Sequence, residues 1–152
     1  MAVNDSITAV DLTDSKELAK LVRAFPVREG EKPWTGKEVR DVADELTADI
    51  DRLTGELASA DAELSNLLRN SGDGAGDDQA DSGSSALERE QELALVINTR
   101  DMLGQTQRAL ARIQAGTFGT CESCGNAIGK ARVQAFPRAT LCVTCKQREE
   151  RR

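Results

Sequence analysis

Four cysteines constrain this chain more than any other feature. Cys121, Cys124, Cys142 and Cys145 are the only ones present, and they stand as two C-x-x-C pairs separated by seventeen residues. Each short pair turns its two sulfurs toward one point, so the four thiolates are spaced to close a tetrahedron around a single Zn²⁺. Two disulfides are the competing pairing, and they need an oxidising compartment. The chain opens MAVNDSITAV, without the basic and apolar regions of an export signal, so the expectation is a cytoplasmic protein with reduced thiols. A thioredoxin-type redox pair needs a βαβ context that the sequence does not offer. With four sulfurs the coordination shell is full, so the zinc is expected to be structural. The chain contains no histidine, which removes the commonest general base, and an enzyme is not expected.

The remainder of the chain reads as helix. Charged residues make up 30% and aromatics only 3%, too few large side chains for a broad globular core, so the fold class expected is mainly α. A formal net charge of −6 argues against wrapping nucleic acid with the whole surface. No apolar run is long enough for a membrane span.

Residues 1–32 lack sustained periodicity and are expected to form a flexible or loosely docked arm. A short helix around Leu18, Leu21 and Val22 would stop before Pro26. A long helix is announced by Trp34-Thr35-Gly36-Lys37-Glu38-Val39, where Thr35 and Glu38 have capping-box spacing and Trp34 can staple onto Val39. From Val39 through Val42, Leu46, Ile50, Leu53, Leu57, Ala60, Leu64 and Leu67, apolar residues recur at three- and four-residue steps, the seam of a coiled coil. The periodicity stops at Asn70, and residues 70–84 are rich in Gly, Ser and Asp, as in a solvated acidic loop. A second helix is expected from about Ser85, where Ser85 and Glu88 have capping-box spacing, with Leu93, Val96, Leu103, Leu110 and Ile113 on its stripe, Arg100, Thr106 and Gln107 as weaker members, and Gly116 closing it. Two helices of similar length joined by a polar turn imply a long antiparallel coiled-coil hairpin over residues 33–116 with an acidic tip at 70–84. Its length is about 45 Å at 1.5 Å per residue. Residues 117–152 then form a small C-terminal four-cysteine zinc finger, with Phe118, Ile128, Val133, Phe136 and Leu141 as its core and a short terminal helix.

The tract Phe118-Gly-Thr-Cys-Glu-Ser-Cys-Gly-Asn-Ala-Ile-Gly, then Ala131-Arg132-Val133-Gln134-Ala135-Phe136-Pro137 and Leu141-Cys-Val-Thr-Cys-Lys, closely resembles the DksA/TraR family of bacterial transcription regulators. Upstream, Leu87-Glu-Arg-Glu and Ala109-Leu-Ala-Arg-Ile-Gln-Ala-Gly-Thr-Phe-Gly look like the helix that enters that family's finger. The resemblance implies a protein that binds RNA polymerase and inserts its hairpin through the secondary channel. Such a protein alters promoter-complex lifetime, often together with ppGpp, without sequence-specific DNA contact. It also implies a tip motif D-x-x-D-x-A. Asp78 and Asp81 match its two acids and Gly83 stands in place of the alanine. Lys130, Arg132, Arg138 and Lys146 are the basic residues available for polymerase or ppGpp contact, although charges around a finger are commonly solvated or paired.

Two other functions compete with a monomeric polymerase-binding regulator. The segment 117–152 has seven basic residues against three glutamates, formally +4, which a zinc tetrathiolate reduces by about 2, so a nucleic-acid-binding module is the main alternative. An RNA-cleavage accessory factor of the Gre type, holding Mg²⁺ on tip carboxylates, is the third.

Overall fold

The computed structural model describes residues 11–72 and 79–152, leaving aside the side chains of residues 71, 72 and 79–82. Five helices follow in order: α1 (Ser15–Ala24), α2 (Gly36–Gly72), α3 (Gln79–Ala115), α4 (Lys130–Ala135) and α5 (Val143–Glu150). Among the described residues the single β pairing is an isolated bridge between Thr120 and Ala127, and no helix is long and apolar enough to cross a membrane.

The long helices are longer than their sequence signals. At 37 residues each, α2 and α3 span about 55 Å. The expected loop over 70–84 is shorter at both ends, because α2 runs to Gly72 and α3 begins at Gln79. Ser85 and Glu88 therefore lie inside α3 and do not cap it.

The contacts divide into two compact units, one of residues to Thr47 with Thr106–Arg152, the other Ala48–Gln105. In the second, Leu53 and Ala60 of α2 and Val96 and Thr99 of α3 are buried, and Asp61 of α2 meets Arg100 of α3 at 3.8 Å. In the first, Val39, Val42, Ala43 and Leu46 share a core with Ala109 and Ile113. Rising numbers on α2 meet falling numbers on α3, so the pair is antiparallel. The α3 stripe differs from the expected one. Leu93 is 48% exposed and Thr99, outside the expected stripe, is buried, while Thr106, a weaker member of it, is buried as expected. Threonine tolerates such seam positions because its hydroxyl can satisfy itself on the preceding turn.

Among the described residues, 11–32 are not a loose arm. Asp14 caps α1 through Lys16 N at 2.9 Å, and α1 ends at Ala24, before Pro26 as its proline dictates. Leu18 and Phe25 are then buried in the main core. Phe25 meets Trp34 and Phe118 edge to face, with ring centroids 6.4 Å and 5.8 Å away, and the Trp34 and Phe118 rings are tilted at 6.0 Å. Three of the four large aromatics in the chain are spent on this one joint. Each such pair adds roughly 0.5–1.5 kcal/mol beyond area burial.

The start of α2 is built as its sequence states. Glu38 N donates to Thr35 Oγ1 at 3.2 Å and Thr35 N donates to Glu38 Oε1 at 3.0 Å, a reciprocal capping box. Trp34 and Val39 are both buried in the same cluster.

Candidate metal centre

A glycine turn opens the finger. Gly116 closes α3 with φ +76°, and Gly119 turns the chain again at +85°. The first knuckle then folds back on itself: Gly125 N donates to Cys121 O at 3.0 Å, Cys121 N donates to Asn126 O at 2.8 Å, and Gly125 takes φ +75°. That left-handed position is why a glycine follows Cys124. The second pair is mounted on α5, where Cys142 is the N-cap and its sulfur accepts from Cys145 N at 3.5 Å.

These two mounts bring all four sulfurs within 4.8 Å of one another. Cys124 Sγ and Cys142 Sγ lie 3.9 Å apart. A tetrahedron of sulfurs with Zn–S bonds of about 2.3 Å has edges of about 3.8 Å, so the residues fit one zinc ion. Burial works to raise the Cys121 thiol, but backbone N–H groups of Cys124, Cys142 and Ser123 outweigh it and bring the pKa down to about 6. Hydrogen bonds that favour a thiolate before any metal arrives suit a metal ligand. When bound, zinc supplies cross-linking between the two knuckles and, with four sulfurs, no open position for chemistry.

The finger's core is assembled partly from outside it. Phe118, Ile128 and Val133 are buried, but Phe136, expected in the core, is 63% exposed. Phe25 and Trp34 take the place a fifth finger side chain would have held. Sequence reasoning also missed Glu31 and Arg28 of the arm. Glu31 accepts from Lys130 N at 3.0 Å and from Ala131 N at 3.2 Å, satisfying the first donors of α4. Arg28, with Arg148 of α5, lines a cavity of about 580 Å³ beside Cys124, Cys142 and Cys145. Two guanidiniums suit a centre whose four thiolates and one Zn²⁺ sum to about −2. Glu31's place, four residues before the capping box, carried no motif that could have revealed its partner a hundred residues away.

Of the basic residues singled out from sequence, Lys130 is committed to the fold. Its Nζ lies 2.7 Å from Glu38 Oε1, donates to Pro33 O at 3.3 Å, and stands 5.7 Å from the centroid of the Trp34 ring. Arg132 Nε donates to Leu141 O at 3.2 Å. Lys146 pairs with Glu149 at 3.3 Å on its own helix, and Arg138 is half-buried. Of the tip residues, Asp78 lies outside the described residues. Asp81 and Gly83 fall on α3, where Gly83 is exposed and no atom stands within 4 Å of the place a Cβ would take.

The Lys130 ammonium is the main reason that Glu38 is held down at about 2; burial opposes it and the Thr35 backbone adds to it. A carboxylate depressed in the fold contributes stability that is fully present above its ordinary value of 4.5 and is lost as pH falls toward 2. Acid titration of the wild type should therefore show a loss of about 1–2 kcal/mol in that window, after discounting for solvent around a pair that is partly exposed. Glu38→Gln should lower stability at neutral pH and flatten the curve between pH 4.5 and 2, as measured by urea melts at stepped pH.

Residues 116–151 match the prokaryotic dksA/traR C4-type zinc finger. The finger is of the dksA/traR C4 type. The chain is 40% identical over 75 residues to the RNA polymerase-binding transcription factor DksA of Caulobacter vibrioides, covering 49% of this chain and 53% of that protein. To the protein of the same name from Escherichia coli K12 it is 37% identical over 62 residues, covering 38% and 41%. The chain thus spans about half the length, or less, of these relatives. The structure of transcription factor DksA2 from Pseudomonas aeruginosa superposes with a TM-score of 0.62 at 28% identity, covering 76% of this chain and 84% of that one.

Proposed function

We propose that this chain is a non-enzymatic transcription regulator that binds RNA polymerase in the cytoplasm as a monomer. The observation that carries the reading is the finger itself: a closed four-cysteine centre, matched over residues 116–151, into which the long helix α3 leads directly. Relatives named RNA polymerase-binding transcription factor are 40% and 37% identical to this chain over 75 and 62 residues. No reaction is assigned to the metal, because all four of its positions go to sulfur.

In this reading the antiparallel helices enter the polymerase secondary channel and carry Asp78 and Asp81 toward the active centre, where carboxylates engage basic side chains or a bound Mg²⁺. The regulator acts on promoter-complex lifetime, with ppGpp as co-regulator. Arg138 and Lys146 are the remaining basic residues that could face polymerase or the alarmone, because Lys130 and Arg132 are held inside the fold. The same two internal commitments weaken the nucleic-acid reading, which needed a free basic face on the finger.

Asp78→Asn combined with Asp81→Asn should leave affinity for core polymerase within about twofold. It should abolish the change in promoter-complex lifetime, measured by filter retention with and without ppGpp. A chain that fails to co-purify with core polymerase at micromolar concentration would end the proposal.

A further inference from the structure

The unit of residues 48–105 carries a groove along one flank of the α2 and α3 pair that the tip chemistry does not use. Its volume is about 670 Å³. Small residues create it. Gly55 has no atom within 4 Å of where a Cβ would stand, and Ser59 and Ala60 line the trough one turn further on. Across from them Leu95, also lining the groove, is left 49% exposed. A half-wet leucine facing a trough of small side chains is a surface shaped to receive a third apolar element.

Charge indicates which element. Glu92 sits four residues before Val96 and seven before Thr99, on the heptad face that those two bury, and its Oε2 is buried without a hydrogen-bond partner. Leaving such an oxygen without a donor is unfavourable, a penalty that a donor arriving from outside removes. Asp51, Glu56 and Glu63 line the same groove. The one basic residue there, Arg52, is already held by Glu56 at 2.9 Å and Asp49 at 3.4 Å. Four carboxylates against one engaged guanidinium repel an anionic occupant, a second copy of the same flank included, and favour a cationic one.

We propose that this groove docks a basic amphipathic helix of RNA polymerase. Its apolar side chains lie against Gly55, Ala60 and Leu95, and a lysine or arginine reaches Glu92 Oε2. Asp51 to Glu63 is twelve helical rises, about 18 Å, so the docked helix is a little over three turns long. The proposal rests on the polymerase reading above and adds to it the surface and the chemistry of the partner.

The test uses the full chain with core polymerase. A photo-crosslinker placed at Ser59 should join a polymerase segment with lysine or arginine on one helical face and apolar residues on the other. Gly55→Leu fills the trough without changing charge and favours helix, and it should weaken polymerase binding about tenfold or more. Glu92→Gln keeps the shape and should weaken binding about fivefold, with a flatter salt dependence. Equal helicity and melting of the variants by circular dichroism separate lost docking from lost folding. Wild-type affinity in both variants, or a crosslink that lands on an acidic or uncharged surface, overturns the groove while wild-type binding leaves the polymerase reading intact. A wild-type chain that does not bind polymerase overturns both.

Discussion

Stripping the metal, with a chelator or by Cys121→Ser, is expected to unfold the finger and release the N-terminal arm in one step. Helices α4 and α5 have six and eight residues, too few to persist alone, and the finger's β pairing is a single bridge. Nothing else in residues 117–152 can hold them, because Phe136 points its bulk to water and the buried side chains are few. Structural zinc in modules of this size supplies on the order of 10 kcal/mol at neutral pH, and its loss removes the fold outright. Glu31 then loses the α4 donors it caps, and Phe25 loses Phe118. The emission of Trp34, the single tryptophan, should move to the red as its aromatic neighbours leave. Far-UV dichroism should fall only by the share of the short helices, with the pairing within residues 48–105 retained. Preserved Trp34 emission in the stripped chain would show that the metal is not what holds this end together. Because the ligands must be thiolates, the same loss should follow acidification.

Phe25→Ala is expected to cost about 3–5 kcal/mol, the range for removing a buried phenylalanine that cannot be replaced by collapse of its neighbours. The residue is 5% exposed and touches both other aromatics of the joint, so the cavity would open between the arm, the start of α2 and the finger entrance. Thermal melting of the zinc-loaded chain should register the loss, and trypsin should cut faster at Arg23 and Arg28 as the arm swings free. A solvated tail would give a change within about 0.5 kcal/mol, so the measurement separates a docked arm from a loose one.

The local signals were the legible ones. Thr35 and Glu38 form their box because the partners are three residues apart and the motif is complete in itself. Gly116 takes positive φ at the helix end that the sequence gives it to close. The cysteine spacing fixed the ligand set for the same reason, since each pair is a turn that makes its own geometry. The α2 stripe could be read because its apolar positions are strong. The α3 stripe is less legible, because Thr99 holds a seam position where a leucine would have announced itself.

By itself, then, the sequence determined the two long helices, the metal and its four ligands, all of them set by contacts between residues close in the chain or by spacings that geometry repeats. Only the tertiary structure decided that Leu18 and Phe25 of the arm belong to the core, that Phe136 does not, and that Lys130 is a structural cation rather than a free contact. Each of those depends on groups about a hundred positions apart: Glu31 on the α4 donors, Glu38 on Lys130, Phe25 on Phe118. Nothing in a local pattern encodes such a pairing. It follows from a finger too small to bury its own aromatic side, which leaves a surface that the nearest apolar segment of the chain is driven to cover.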